Sequence, residues 1–447
     1  MSHGRILAIH DISCVGRCSL TVALPIISSV GIECSVLPTA VLSTHTGGFT
    51  GFTYRDLTED IVPIKEHWKS LGLGFDAFYT GFLGSFEQID LVKDLIDEVS
   101  SPNTTIYVDP VMGDAGKLYS VFDESFPKGM RKLCEKADVL MPNLTELCFM
   151  LGLEYRPGPY TWDYIESIFD EAKVFGLKKI VITGISFEEG KVGSVYKDYE
   201  TGETGQVMRG SIEGYYHGTG DVFGSALVGA LESGVPLQDS VRIAVDFTVS
   251  SIKRTHESKA DVRYGVDFEL GIGDYVKQIA VNKNGFDFIK VTDYIGVARV
   301  AGLAAKIWPE VYTGMIAPGQ PDYMVAKFQS FWPISESISK GCVYYIMETD
   351  SDDAGYFAYY PDGDSLFLSK MYVSADYRGF GLFSKAVSKI IDECYKMGLK
   401  KVRLNVNRKN TVAINAYLNQ GFKIVEEVDN PIGEGYVMND YIMELDL

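Results

Sequence analysis

Six short apolar runs alternate with amphipathic helical patterns through the first 280 or so residues, and this alternation restricts the fold more than any other feature of the chain. The runs are Arg5–His10, Cys34–Leu37, Ala77–Thr80, Thr105–Val108, Val139–Met141 and Lys179–Thr183. Helical patterns include Gln88–Val99, Trp162–Phe175 and Val222–Glu232. Strands that alternate with helices form βαβ units, which predicts an α/β unit with a mostly parallel sheet flanked by helices. Ligands of such sheets sit beyond the carboxyl ends of the strands, and Asp109, Asn143 and Gly184 each follow a strand candidate. The pattern changes near residue 280. Val281–Gly285 reads as a polar linker. Beyond it comes an aromatic-rich helical region, Val297–Phe331, then strands, a helix, a strand and a helix in α+β order. Two domains are expected, residues 1–280 and 285–447.

The chain carries a formal charge of -19, which repels nucleic acid. Any polyphosphate must then be held by local devices such as helix N-termini, Lys, Arg or Mg²⁺. No apolar run approaches a membrane span of about 18 residues, and Met1–Arg5 with the short run after it does not read as a signal peptide. The seven cysteines are scattered, and Cys14 and Cys18 are spaced C-x-x-x-C without a His/Cys cluster. Reduced thiols in the cytoplasm are expected rather than a disulfide framework or a zinc site.

Gly218-Thr219-Gly220-Asp221 opens the helical pattern at Val222. Two glycines allow a tight turn, and a helix N-terminus presents unsatisfied N–H groups and a positive dipole. Together they form an anion hole for a phosphoryl group in flight, with the Asp221 carboxylate placed to take a proton from an attacking hydroxyl. The plainer reading is a loop with an Asp at the start of a helix. Asp109-Pro110-Val111-Met112-Gly113-Asp114 puts two carboxylates, Asp109 and Asp114, near the ligand edge, where they suit Mg²⁺ or phosphate-bound water. Asn143 and Glu146 share a face of a starting helix, either as site residues or as a capping box. Thr183 ends a strand, where its hydroxyl can reach a nucleotide phosphate. G-x-x-x-x-G-K-[ST] and protein-kinase signatures are absent from the sequence.

These segments in this order, with Val181–Gly184, Tyr79-Thr80-Gly81, Leu83-Gly84-Ser85 and Ser43-Thr44-His45-Thr46, resemble the ribokinase superfamily and, within it, the pyridoxal kinase branch, over roughly residues 4–280. The resemblance implies Asp221 as catalytic base and Gly218, Thr219 and Gly220 as the anion hole. It implies Asp109, Asn143, Glu146, Thr183 and Thr219 for ATP and Mg²⁺, with Asp109 and Glu146 nearest the metal. Asp11, His45, Thr46 and Phe82 would line a vitamin B6 pocket. Asp11 stands where this branch usually has Ser, Thr44 where it has Asn, and Phe82 where it has Tyr. The resemblance implies phosphorylation of pyridoxamine or pyridoxal, with a hydroxymethylpyrimidine as the alternative, and an acidic Asp11 favours a protonated ring nitrogen or an amine, which points to pyridoxamine or to the pyrimidine. The branch commonly forms homodimers.

In the second half, Tyr377-Arg378-Gly379-Phe380-Gly381-Leu382 joins a strand to a helix, again an anion site built from backbone N–H groups. About thirty residues on, Asn410, Ala413, Tyr417 and Gly421-Phe422 follow in register. Together these resemble the GNAT acetyltransferases over roughly residues 285–447. The resemblance implies that Arg378, Gly379 and Gly381 bind the pyrophosphate of acetyl-CoA, that Asn410 contacts the coenzyme, and that Tyr417 protonates the departing thiolate. Core packing is the competing role for Tyr417. Phe383 replaces the usual Gly or Ala. Trp308, Tyr312, Tyr323, Phe328 and Trp332 fall where such domains shape the acceptor pocket, although most aromatics there would form core. The whole chain is thus expected to be a bifunctional kinase and N-acetyltransferase acting on small molecules. The alternative is a kinase carrying a regulatory acyl-CoA-binding module.

Overall fold

The computed structural model describes residues 4–349 and 352–447, so the first three residues of Met1–Arg5 lie outside the described residues. The chain divides into two compact units, residues 1–283 and 284–447.

The strands of the first unit are β1 (Arg5–Ser13), β2 (Glu33–Leu42), β3 (Tyr54–Asp56), β4 (Ala77–Thr80), β5 (Thr105–Val108), β6 (Gly113–Asp114), β7 (Lys117–Leu118), β8 (Val139–Leu140), β9 (Lys179–Ile185), β10 (Lys191–Asp198) and β11 (Thr204–Gly210). Nine of them form one sheet in the order β11-β10-β9-β8-β5-β4-β1-β2-β3, and β6 pairs with β7 in a separate hairpin. From β9 through β2 the pairings are parallel. The parallel strands are buried on both faces, so their sequences are continuously apolar rather than alternating. In β1, Leu7 and Ile9 enter one core while Ile6 and Ala8 enter the other. The antiparallel edge formed by β10 and β11, and the helix Leu237–Ser258, add to the elements expected from periodicity. Val281–Gly285 is not the polar linker that composition suggested. The helix Ile272–Asn284 runs through it, with Val281 and Asn282 buried.

The second unit has β12 (Asp287–Lys290), β13 (Val343–Glu348), β14 (Asp353–Asp362), β15 (Ser365–Val373), β16 (Lys401–Asn407), β17 (Lys423–Gly433) and β18 (Tyr436–Asp446), in the order β12-β13-β14-β15-β16-β18-β17. The helices Tyr294–Tyr312, Gln320–Phe328 and Phe331–Ser339 share a core with one face through Tyr344, Ile346, Tyr356 and Ala358. The helix Leu382–Lys396 meets the other, where Glu393 accepts a hydrogen bond from Tyr359. β15 and β16 pair in parallel only from Ser365/Lys401 to Leu368/Leu404. Past that point each continues without the other, and the sheet opens between them.

Candidate functional site

The helix Thr219–Glu232 starts one turn before Val222, so Thr219, Gly220 and Asp221 form its first turn and their N–H groups have no intrahelical acceptor. Gly218 caps it in the left-handed region at φ 74, and a Cβ there would collide with the Arg17 carbonyl oxygen, so the turn requires glycine. Burial pushes the Asp221 carboxyl up to about 7, opposed by a hydrogen bond from the Ser19 amide and assisted by nearby Asp11. Asp109 follows β5, its amide donating to Thr80 O at 3.0 Å. Burial, then Glu146, then Asp221 hold its carboxyl well above the usual range.

Glu146 is buried and acts as a clasp. Its oxygens accept from the amides of Met112 (3.0 Å) and Asn143 (2.9 Å). Asn143 closes the capping box by accepting from the Glu146 amide at 3.0 Å, and its Nδ2 donates to Gly113 O at 2.7 Å. Capping and site-building are therefore one arrangement: the box ties the Asp109–Gly113 segment to the next helix. Thr183 bridges to Asn143, and its amide donates to Pro142 O at 3.0 Å. Asp114 is exposed on the β6–β7 hairpin and accepts from the Ala115 amide at 2.7 Å.

On the acceptor side, Asp11 is buried and accepts from Ser19 Oγ at 2.6 Å, and burial raises its carboxyl. His45 is buried, with Nδ1 accepting from the Gly47 amide and Nε2 against Arg263 O. Thr46 is exposed, and Phe82 is half-buried beside Phe122. Sequence reasoning missed the ring cluster around His45. Phe49 and His217 lie 5.1 and 5.2 Å from its ring, Tyr215 packs on His217, Tyr264 packs on Phe49, and Arg263 sits 5.4 Å over Phe49. The Tyr215-Tyr216-His217 run directly before Gly218 carried the signal.

Three raised carboxyls in one place make stability pH-dependent. Between the ordinary carboxylate range and about 7 the unfolded chain has released protons that the folded chain still holds at Asp221 and, by the same sign, at Asp109 and Glu146. Stability contributed by these groups is present at low pH and falls as pH rises through that window. Thermal midpoints across it should drop for the unaltered chain and drop less for Asp221→Asn. Parallel curves would show that Asp221 titrates normally.

In the second unit Gly379 and Gly381 are left-handed, at φ 81 and 83, and Gly381 caps the helix Leu382–Lys396. Exposed Arg378 donates from Nε to Val373 O at 3.1 Å. Asn410 caps the helix Thr411–Asn419 by accepting from the Ala413 amide at 3.1 Å. Tyr417 is buried between Phe383 (5.2 Å) and Phe422 (5.3 Å), and burial raises its hydroxyl. Trp308 is core, donating to Tyr356 Oη at 2.7 Å, whereas Trp332 is exposed. Tyr323 donates to Ile432 O at 2.7 Å. Tyr312 and Tyr372 share a hydroxyl–hydroxyl hydrogen bond of 3.0 Å beside the opening between β15 and β16. Among the described residues no helix is long and apolar enough to cross a membrane.

Residues 24–265 match the phosphomethylpyrimidine kinase family and residues 307–422 the GNAT acetyltransferase family. A Bacteroides thetaiotaomicron structure described as a phosphomethylpyrimidine kinase, in an orthorhombic form with pyridoxal, is 37% identical with a TM-score of 0.59, covering 61% of this chain and 96% of its own. Pyridoxal kinase from Lactobacillus plantarum is 29% identical with a TM-score of 0.57, covering 62% and 98%. Pyridoxal kinase from Dictyostelium discoideum is 25% identical over 58% of this chain and 88% of its own length. The first unit has the ribokinase-like fold, and the chain belongs to the phosphomethylpyrimidine kinase family, with a domain of the GNAT acetyltransferase family behind it.

Proposed function

We propose that the first unit transfers the γ-phosphoryl group of ATP to the 5′-hydroxymethyl of a vitamin B6 vitamer, pyridoxal or pyridoxamine. The observation that carries this reading is Asp221 in the first turn of a glycine-capped helix, with its carboxyl near 7. A base of that strength takes a proton efficiently at neutral pH. The N–H groups of the same turn stabilise the transferring group, whose chemistry needs positioning and charge stabilisation more than covalent help. Among the described residues no three acidic, His or Cys side chains close around a metal position. Asp109 and Glu146 fit Mg²⁺, which prefers few protein ligands and several waters. Bound there with ATP, Mg²⁺ would offset charge on the phosphates. Asp11 and the aromatic and histidine cluster around His45 supply a polar, ring-binding acceptor side.

The family match itself favours a second substrate, a hydroxymethylpyrimidine. For the second unit we propose acetyl-CoA-dependent N-acetylation, supported by the left-handed Gly379 and Gly381 at a helix start and by Tyr417 within electrostatic reach of Tyr312 and Tyr372. The free state of all seven cysteines supports a cytoplasmic location. A screen of ATP consumption with pyridoxal, pyridoxamine, pyridoxine and hydroxymethylpyrimidine tests the kinase reading. A B6 vitamer should be preferred, with the same ranking from a chain ending at Asn284. Preference for the pyrimidine would replace the substrate. Loss of activity on truncation would show that the two functions do not divide at that boundary.

A further inference from the structure

We propose that Asp440 receives the amine of the acetyl acceptor in the second unit, binding it as a cation and taking its proton. This rests on the acetyl-transfer reading above.

Asp440 lies on β18 directly opposite Asn407, the last residue of β16, whose far end borders the opening in the sheet. It is 6% exposed, and its Oδ1 is buried without a hydrogen-bond partner among the described residues. A buried carboxylate oxygen lacking a donor is costly, so a donor belongs there in the working state. A cavity of about 630 Å³ is lined by Asn407, the cross-strand partner of Asp440, and Asn439, its chain neighbour, together with Ile316, Gln320, Lys409 and Tyr436. The cavity thus lies at the ends of the same strands.

Tyr312 links this corner to the chemistry. Its hydroxyl bonds Tyr372 on the splayed part of β15 and is within electrostatic reach of both Asp440 and Tyr417. Arg408, also on the cavity wall, makes its ion pairs with Glu427 at 2.9 Å and with Asp429, so it gives Asp440 electrostatic support and no hydrogen bond. Burial raises the Asp440 carboxyl, Arg408 lowers it and Asp429 raises it, to about 6 in all. It is therefore mostly ionised at neutral pH and still able to accept a proton.

The step balances as follows. Asp440 takes one proton from the ammonium and later passes it to solvent. The freed nitrogen lone pair attacks the acetyl carbonyl carbon of acetyl-CoA, the N–C bond forms and the C–S bond breaks. Tyr417 protonates the leaving sulfur, and the proton that the nitrogen sheds as the amide forms replaces it.

The test uses the full chain with n-butylamine, phenethylamine and spermidine, the alcohols n-butanol and phenethyl alcohol, and acetyl-CoA, by calorimetry. At least one amine should bind better than the alcohols. Asp440→Asn should weaken that binding by about tenfold or more, as expected for a lost charged hydrogen bond, with acetyl-CoA affinity unchanged, and Asp440→Glu should restore part of it. Amine affinity unchanged in Asp440→Asn overturns the proposal, as does a chain that binds acetyl-CoA but none of the amines. Asp440-dependent amine binding without acetyl-CoA binding would keep Asp440 as an amine site and remove the acetyl-transfer reading. If the Asn variant does not fold, the unaltered chain decides. Amine affinity that does not fall from about pH 7 to about pH 5, through the Asp440 titration, also overturns it.

Discussion

Asp221→Asn is expected to lower phosphoryl-transfer turnover by about 10²–10⁴-fold, the usual contribution of a general base. The side chain keeps its size and one oxygen able to accept the Ser19 amide, but loses the basicity that burial has tuned to about 7. Asp221 lies inside the first turn and is not its cap, and the turn geometry rests on Gly218 rather than on this side chain. ATP affinity should therefore be largely kept. Removing a half-buried carboxylate that ionises unfavourably should also hold or raise the thermal midpoint above pH 7. Activity and stability then move in opposite directions, which a purely structural Asp would not produce. Steady-state turnover alongside melting curves on the same preparations checks both. Near-normal turnover would leave Asp221 as a helix-start residue and nothing more.

Much of this site was legible because its parts are local. Asp109 and Asn143 follow strands and Gly218–Asp221 begins a helix, while Thr183 lies inside β9, which runs two residues beyond the strand end expected at Thr183, and βαβ topology brings such positions to one edge whatever the intervening sequence. What could not be read was the use of single residues for two purposes. Glu146 fits both a metal site and a capping box in sequence. Only the folded chain shows the box itself fastening the Asp109–Gly113 segment through Met112 and Gly113. Val281–Gly285 misled for a different reason. Its Asn and Lys residues read as loop, but Val281 and Asn282 are buried in the helix Ile272–Asn284, and tertiary burial outweighs weak local propensity. The ring cluster around His45 and the position of Asp440 depend on contacts between residues far apart in sequence, which no window of periodicity contains.

Gly381→Asp is expected to weaken acetyl-CoA binding about 100-fold or more, while leaving the second unit folded. Gly381 sits at φ 83 as the cap of Leu382–Lys396. Any side chain at this φ is strained, but Asp and Asn tolerate the left-handed region better than most residues and carry that strain alike, so it does not separate the two variants. The cost falls on the ligand. A carboxylate at the start of this helix occupies the anion position that the N–H groups would offer a pyrophosphate, and it repels the phosphates at short range. Gly381→Asn separates the two contributions, because it has nearly the same shape and backbone tolerance without the charge. Calorimetry with acetyl-CoA should therefore rank unaltered chain, Asn variant and Asp variant in falling affinity, with the larger step between Asn and Asp. ATP-dependent phosphorylation by the first unit should be the same in all three. Equal affinity for acetyl-CoA across the series would show that the pyrophosphate is held elsewhere, and would withdraw Arg378, Gly379 and Gly381 from the coenzyme site together.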